Sequence, residues 1–531
     1  MPKIDCNLPK YHHLLQISFS IMKDEQVNVC DSIKELEKFL LTDYIEYKEA
    51  FEVVKAEVAV YELPAMRTGC VRLSSLVRYT FKSIIFSTLA RLNYQTLDYA
   101  SIDGRARSAV PGEPREEGVL LLLNFRRYFD REIFFPIRRV SQESGISTRS
   151  TSLSTGVSYL TLIINGLIRF PLQIGALFGS LVKFYTRKSI FTALSVKLSA
   201  YLCGNFNIDR YVIWCFLYLR LIPLLRETDR ELRRLSKLIS FKSIMDIAHC
   251  NDADPLVRLV LLLARKRNIP SYCIQFGNIS EEAIEWRYTV SDYFFLWGSG
   301  HKSLLLSMGL DASRLLVAGS PRYDEVSRRV NVRPVAPSRP VNARERTWNV
   351  LFLSTCTTGT EVGNCFQSAL AQAKMDVIHV FGSSASCHLT VKLHPLEKED
   401  SFSRLDNSLL SGVSVLAGDV DATVVVEKAD LIITFGSTLT MHALVLGIPV
   451  LYLCYPGIVW WTDCYLESDV VYRVRDRSTL EACERSLASF VFGDPSRRDR
   501  IKDFLQTHIV LPPDGAANEI LRGIVHRRRV V

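Results

Sequence analysis

The sequence predicts an α/β protein with two parallel-sheet domains, joined by a proline-rich linker and preceded by an N-terminal extension. Three observations carry that expectation. Short apolar runs alternate with segments of helical period on both sides of residues 328–347, the pattern of strands covered on both faces. Several runs stop at a glycine turn, as in SYCIQFG, DYFFLWGSG and RLLVAGSPRYDE. The stretch Arg328–Arg346 is rich in proline and polar residues and has no apolar period, which marks a linker.

The elements follow in order. Residues 1–117 form an extension that fits neither domain; DSIKELEKFLL (Asp31–Leu41) reads as a capped helix and EVAVYELP (Glu57–Pro64) as a strand stopped by proline. The turn-rich PGEPREE (Pro111–Glu117) marks the boundary. The first domain, 118–327, opens on the buried-type strand GVLLLLNF and a helical segment from Asp130 to Ser144. An apolar helical insert spans 157–202, and its block Val157–Tyr185 is split by Arg169, Pro171 and Gln173. That block is a poor bilayer crossing and suits either two helices at a membrane interface or two buried ones. Helical spacing returns at Arg226–Ile239 and Asp252–Pro270. The second domain, 348–531, carries the strand candidates NVLFLS, HLTVKLH, VSVL, DLIITF, PVLYLCY and DVVYRV.

At 531 residues the chain exceeds one core, and 48% hydrophobic with 23% charged residues is ordinary globular composition. Thirteen cysteines lack ligand-like spacing, so neither a zinc site nor a disulfide framework is signalled, and a reducing cytoplasm is expected. The amino terminus has no apolar signal core. A net charge of +9, with arginine pairs such as Arg126-Arg127 and Arg138-Arg139, suits phosphorylated small molecules or an anionic membrane surface. No nucleic-acid motif accompanies it, so nucleic acid is not an expected partner.

Two stretches carry chemistry. In VKLHPLE (Val391–Glu397), Val391 and Leu393 alternate with Lys392 as in a half-buried strand. Pro395 then stops the strand and holds His394 extended at its carboxyl end, where open α/β sheets bind ligands. In ADLIITFGSTLTMHALVLGIPVLYL (Ala429–Leu453), a strand runs into Gly436-Ser437-Thr438 and a helix. Such a helix start suits an anion, or its hydroxyls merely cap it. The strings Asp252-Ala253-Asp254 and Asp419-Val420-Asp421 each precede a helical segment and read as caps, so no metal is expected. His249 and His301 read as structural.

These stretches, together with D-A-D-P, I-Q-F-G, S-D-Y-F-F-L-W-G and A-G-S-P-R-Y-D in that order, resemble the GT-B glycosyltransferases over about Gly118–Gly515. The likeness is to capsule and teichoic-acid enzymes: CDP-glycerol glycerophosphotransferases, Kdo transferases and polysialyltransferases. It implies two Rossmann-like domains facing a cleft. It further implies a nucleotide-activated sugar donor as substrate with no cofactor, a glycan or lipid-linked acceptor, and a cytoplasmic protein peripheral at the inner face of the membrane. By the same resemblance, His394 and Pro395 meet the donor phosphate, Gly436, Ser437 and Thr438 hold the phosphate region, and Gly319, Pro321 and Arg322 form a turn near the cleft. The chain departs from the pattern at Phe276, where relatives carry histidine, and at His442, where they tend to carry glutamate near the ribose.

Transfer chemistry needs the leaving phosphate neutralised, for which Lys392 joins His394 and the Gly436–Thr438 turn. It also needs a base for the acceptor hydroxyl; with Phe276 inert, Glu281, Glu282, Glu285 and Asp130 are the candidates. Two other readings stay open: an isomerase of the UDP-N-acetylglucosamine 2-epimerase type, and a non-catalytic relative that binds nucleotide or glycan.

Overall fold

The computed structural model describes residues 48–57, 119–124, 130–152, parts of 225–236, 243–279, 284–326, 347–355, 364–394, 413–417, 422–456, 464–488 and 495–528, with a few isolated positions such as Glu397. The expectations at 31–41, 58–64 and 157–202, and almost all of the linker, lie outside these residues, and Glu57, expected to start a strand, ends a helix.

Two separate sheets form, and every strand pair in them is parallel. The first holds β1 (Val119–Asn124), β2 (Thr148–Ser152), β3 (Ile244–His249), β4 (Ser271–Ile274), β5 (Tyr293–Leu296) and β6 (Leu315–Val317), in the order 2-1-3-4-5-6. The second holds β7 (Trp348–Leu353), β8 (Cys387–Lys392), β9 (Val413–Leu416), β10 (Leu431–Thr434), β11 (Val450–Leu453) and β12 (Tyr472–Val474). Its order is 12-11-10-7-8-9. Counted within the domain this is 3-2-1-4-5-6, the doubly wound order whose switch point lies between the first and fourth strands, here β7 and β10.

The apolar runs become strands because both faces of each sheet are covered. Leu120, Leu121, Leu122 and Leu123 are all buried, as are Leu431, Ile432 and Ile433. The half-buried reading of β8 is corrected: Val391, Lys392 and Leu393 are all buried, because β8 lies inside the sheet between β7 and β9. Two strands escaped the apolar signal. β2 (TRSTS) is a polar edge strand held by its ladder to β1, and β3 carries Asp246 and His249 into the sheet with their own partners.

The helices that frame the sheets are α1 (Lys48–Glu57), α2 (Phe135–Glu143), α3 (Pro255–Arg265), α4 (Ser299–Ser307), α5 (Asn364–Gly382), α6 (Leu439–Val445), α7 (Pro495–His508) and α8 (Ala516–Arg528). Part of the N-terminal extension belongs to the first domain. The fully buried Arg258 guanidinium on α3 donates twice to the Glu52 carbonyl of α1, at 2.9 and 2.5 Å.

Residues 516–528, grouped by sequence with the second domain, pack on the first sheet. Ala517, Ile520, Leu521 and Ile524 of α8 share a core with Leu120, Ile137 and Phe295. The carboxylate of Asp324 caps α8, accepting from Ala516 N at 2.6 Å and Ala517 N at 3.1 Å. The returning chain passes so close that a Cβ on Gly319, which sits at φ +82°, would lie 2.3 Å from the Val510 carbonyl oxygen. Trp297 and Tyr323 of the first domain in turn join a core with Leu351, Ile432, Met441 and Phe504. No described helix is long and apolar enough to cross a membrane.

Candidate functional site at the facing strand ends

In the second sheet, Thr434, Leu353 and Lys392 stand in one row across β10, β7 and β8. The chains leave that row together: β10 into Phe435-Gly436, β7 into Ser354, and β8 into Leu393-His394. Strands are about 4.8 Å apart, so the ends of β10 and β8 lie on the order of 10 Å apart, on either side of Ser354. The switch-point crevice opens between β7 and β10, so Ser354 and Gly436–Thr438 line its two sides, with His394 one strand beyond Ser354.

Each arm has its own local cause. Gly436, at φ +100°, turns the chain sharply after β10. The following turn is closed by its own hydroxyls: Ser437 N–H donates to Thr434 Oγ1 at 3.1 Å, and Leu439 N–H donates to Ser437 Oγ at 3.3 Å. Ser437 Oγ thus satisfies the first N–H of α6 from the residue before the N-cap, while the N-cap residue Thr438 makes no side-chain cap. On the other arm, His394 is half-buried and its N–H donates to Glu397 Oε2 at 3.0 Å. Lys392 is 4% exposed and its ammonium donates to the Leu393 carbonyl at 2.8 Å, which keeps this buried cation at the end of β8.

The first sheet presents its own strand ends opposite. β4 ends in Gln275-Phe276-Gly277-Asn278, and a Cβ on Gly277 would meet Thr438 Cγ2 at 3.3 Å. Asn278 Nδ2 donates to Cys464 Sγ at 3.3 Å, and its Oδ1 lies 2.8 Å from His301 Nε2. Gln275 is a buried bracket: its Oε1 accepts from Trp297 N–H, and its carbonyl accepts from Trp297 Nε1, both at 2.8 Å. Phe276 packs against the first-sheet core, consistent with its lacking acid–base chemistry.

The remaining predicted residues fall in different places. Arg322, its side chain 5% exposed, pairs with Glu132 Oε2 at 2.7 Å within the first domain. His442 is buried with its ring 5.8 Å from that of Tyr323, at the seam between the domains. Asp130 opens the π-helical turn Asp130–Phe134 after β1. Glu285 lies in the short 3-10 turn Ile284–Tyr288 and its side chain is outside the described residues, as are Glu281, Glu282 and Pro395. Glu132, Asn278 and Glu397 were missed by sequence reasoning. For Glu397, the three-residue spacing from His394 is the signal that could have found it.

Among the described residues, one buried group has metal-ligand chemistry: ligand atoms of His249, Asp252 and Cys273 lie within 4.8 Å of one another. The Asp252 carboxylate and His249 Nε2 already serve the fold, while His249 Nδ1 is buried without a hydrogen-bond partner among those residues. Asp252 accepts from Val290 N–H and Ser291 N–H, both at 2.8 Å, with the Arg258 guanidinium 3.8 Å away, and His249 Nε2 is 2.6 Å from Ser291 Oγ. The group reads as a clamp between β3 and the loop before β5. Asp254 accepts from Val257 N–H at 3.2 Å and caps α3, while Asp419 and Asp421 lie outside the described residues.

Burial holds His249 down to about 4 and His301 to about 3, both fully enclosed. In the unfolded chain they take up protons near pH 6.5. Their contribution to stability is therefore present above pH 6.5 and is lost as pH falls toward the folded values. The urea midpoint should drop between pH 7 and pH 5, and His249→Gln with His301→Gln should flatten that slope. An unchanged midpoint across this range in the unmodified chain would contradict it.

Parallel sheets meeting at their strand ends, one in the 3-2-1-4-5-6 order, define a two-domain α/β protein of Rossmann-like construction. A family model described as a protein of unknown function (DUF354) matches residues 352–491. No curated protein matches the chain in sequence. Among solved structures, the chain is similar to the S. aureus MnaA–UDP co-structure, with 12% identity, 78% of this chain and 98% of that one covered, and a TM-score of 0.46. It is similar to the UDP-GlcNAc 2-epimerase from Neisseria meningitidis bound to UDP-GlcNAc, with 12% identity, 77% and 100% covered, and a TM-score of 0.47. A variant of the wall teichoic acid polymerase TagF with CDPG shares 9% identity, with 86% and 98% covered and a TM-score of 0.44.

Proposed function

We infer that the protein is a glycosyltransferase, or a glycerophosphotransferase-like enzyme, of surface polysaccharide biosynthesis. It moves a sugar or alditol phosphate from a nucleotide-activated donor to a glycan or lipid-linked acceptor. The observation that carries this reading is the row of strand ends at the second switch point, where His394 and the Gly436–Thr438 turn flank Ser354. A donor phosphate between these arms would meet an imidazole on one side and the Thr438 hydroxyl on the other. The buried Lys392 ammonium at the end of β8 would add favourable potential. The acceptor would enter from the first sheet, where Glu281, Glu282 and Glu285 follow the β4 turn that touches Thr438, and Asp130 follows β1. One of these carboxylates would take the acceptor proton, with no metal and no cofactor. Val157–Tyr185 would hold the enzyme at the inner face of the membrane.

Purified protein incubated with UDP-, CMP- and CDP-activated donors should release nucleotide faster when acceptor is added. A sugar isomer still bearing its nucleotide would identify the 2-epimerase reading instead. Binding without turnover would identify the non-catalytic one, and no binding to any donor would refute all three.

A further inference from the structure

We propose that Glu397 is a positioning residue that aims His394 at the donor phosphate, its own charge offset by Lys374. The assignment rests on the donor-site reading above and extends it to a residue that does not itself touch the phosphate.

The His394 peptide is held on both sides by one residue. Its N–H donates to Glu397 Oε2 at 3.0 Å, and its carbonyl accepts from Glu397 N–H at 2.8 Å. Fixing the amide and carbonyl of the same residue fixes both of its backbone torsions, and hence the direction in which its Cβ leaves the chain. The other carboxylate oxygen of Glu397 ties this turn to the neighbouring elements. Oε1 accepts from Ser354 Oγ at 2.9 Å, at the end of β7, and from the Lys374 ammonium on α5. Ser354 N–H in turn donates to the Lys392 carbonyl at 3.0 Å, closing the link back to β8. A single carboxylate thus joins the ends of two neighbouring strands and one helix.

Its burial sets the electrostatics. The Glu397 side chain is only 3% exposed and that of Lys374 15%. An uncompensated carboxylate at this depth would repel a phosphate held by His394, and Lys374 cancels that charge where solvent cannot. Glu397 therefore contributes by geometry, and Lys374 by offsetting the charge that this geometry brings near the crevice. Neither role requires contact with the nucleotide.

The test measures affinity for UDP, CDP and CMP, and for the free nucleosides uridine and cytidine, by calorimetric titration of the full chain. Glu397→Gln keeps the side chain's size but cannot pair with Lys374 and accept from Ser354 and His394 together. It should weaken binding of the phosphorylated ligands about tenfold, the loss expected when a charge-assisted hydrogen bond is spoiled, and leave the nucleosides unaffected. Lys374→Met, which strands the Glu397 charge, should weaken the same ligands and spare the nucleosides. Combining Glu397→Gln with His394→Ala should cost no more than His394→Ala alone, because both act through the imidazole. Additive losses, or equal losses for nucleosides and nucleotides, would mean that Glu397 only braces the fold. If His394→Ala weakens nucleotide binding while Glu397→Gln leaves it intact, the positioning role falls and the donor site stands. An unmodified chain that binds none of these nucleotides removes the donor site and this role with it.

Discussion

Truncation after Pro513 should leave a chain that no longer folds cooperatively. The deleted segment carries α8, whose Ile520, Leu521 and Ile524 are at most 4% exposed and line the first-sheet core. Burying three such side chains is worth roughly 1.5–3 kcal/mol each, comparable in sum to the whole stability of an ordinary domain. A second loss adds to it. Asp246 on β3 is fully buried, and its carboxylate pairs with the Arg528 guanidinium of α8. Burial already pushes the Asp246 carboxyl up against that pairing, and removing the arginine leaves it without its charge partner. Near-UV circular dichroism and a thermal melt read the outcome. Leu521→Ala, a milder change in the same place, should cost about 2–5 kcal/mol. A truncated chain that melts at the original temperature would show that the first sheet closes without α8.

His394→Ala should weaken nucleotide binding or slow turnover by roughly ten- to a hundredfold, the cost of one hydrogen bond to a charged phosphate, while the melting temperature barely moves. The side chain is half-buried at the crevice rather than in a core, which is why stability should be spared. Ser437→Ala and Thr438→Ala probe the opposite side of Ser354. They will differ: Ser437 Oγ accepts from Leu439 N–H, so its loss also frees a backbone donor at the helix start, whereas Thr438 makes no such bond. Thr438→Ala is the cleaner partner. Its cost and that of His394→Ala should combine to less than their sum if both hold one phosphate. A His394→Ala protein that unfolds more easily yet binds nucleotide unchanged would make the histidine structural and remove the donor site.

Much of the candidate site was legible because its residues announce themselves locally. A proline after a strand-end histidine, and a glycine between an apolar run and a helix, are constraints written into a few consecutive residues. Their relation was not legible. That β7 lies between β8 and β10, so that Ser354 stands between the two arms, follows from strand order, which no local pattern encodes. Lys392 alternates like a surface residue, yet is buried on an interior strand with its ammonium on the Leu393 carbonyl. Arg322, expected at a turn near the cleft, pairs with Glu132, which no local pattern pointed to.

The sequence by itself determined where most strands run, that they form two parallel systems, and which strand ends carry histidine, glycine and hydroxyls. Those properties depend on apolar period and backbone stereochemistry over fewer than about ten residues. The tertiary structure alone decided the rest. β2 is a strand because β1 offers it a ladder, and β3 carries Asp246 into the sheet because Arg528 reaches it from the far end of the chain. α8 crosses back because Asp324 caps it and the first core lacks a cover without it. Glu397 gains its place only when Ser354, Lys374 and His394 converge. Each of these is a contact between residues distant in sequence, and its energy exists only once the sheets have formed.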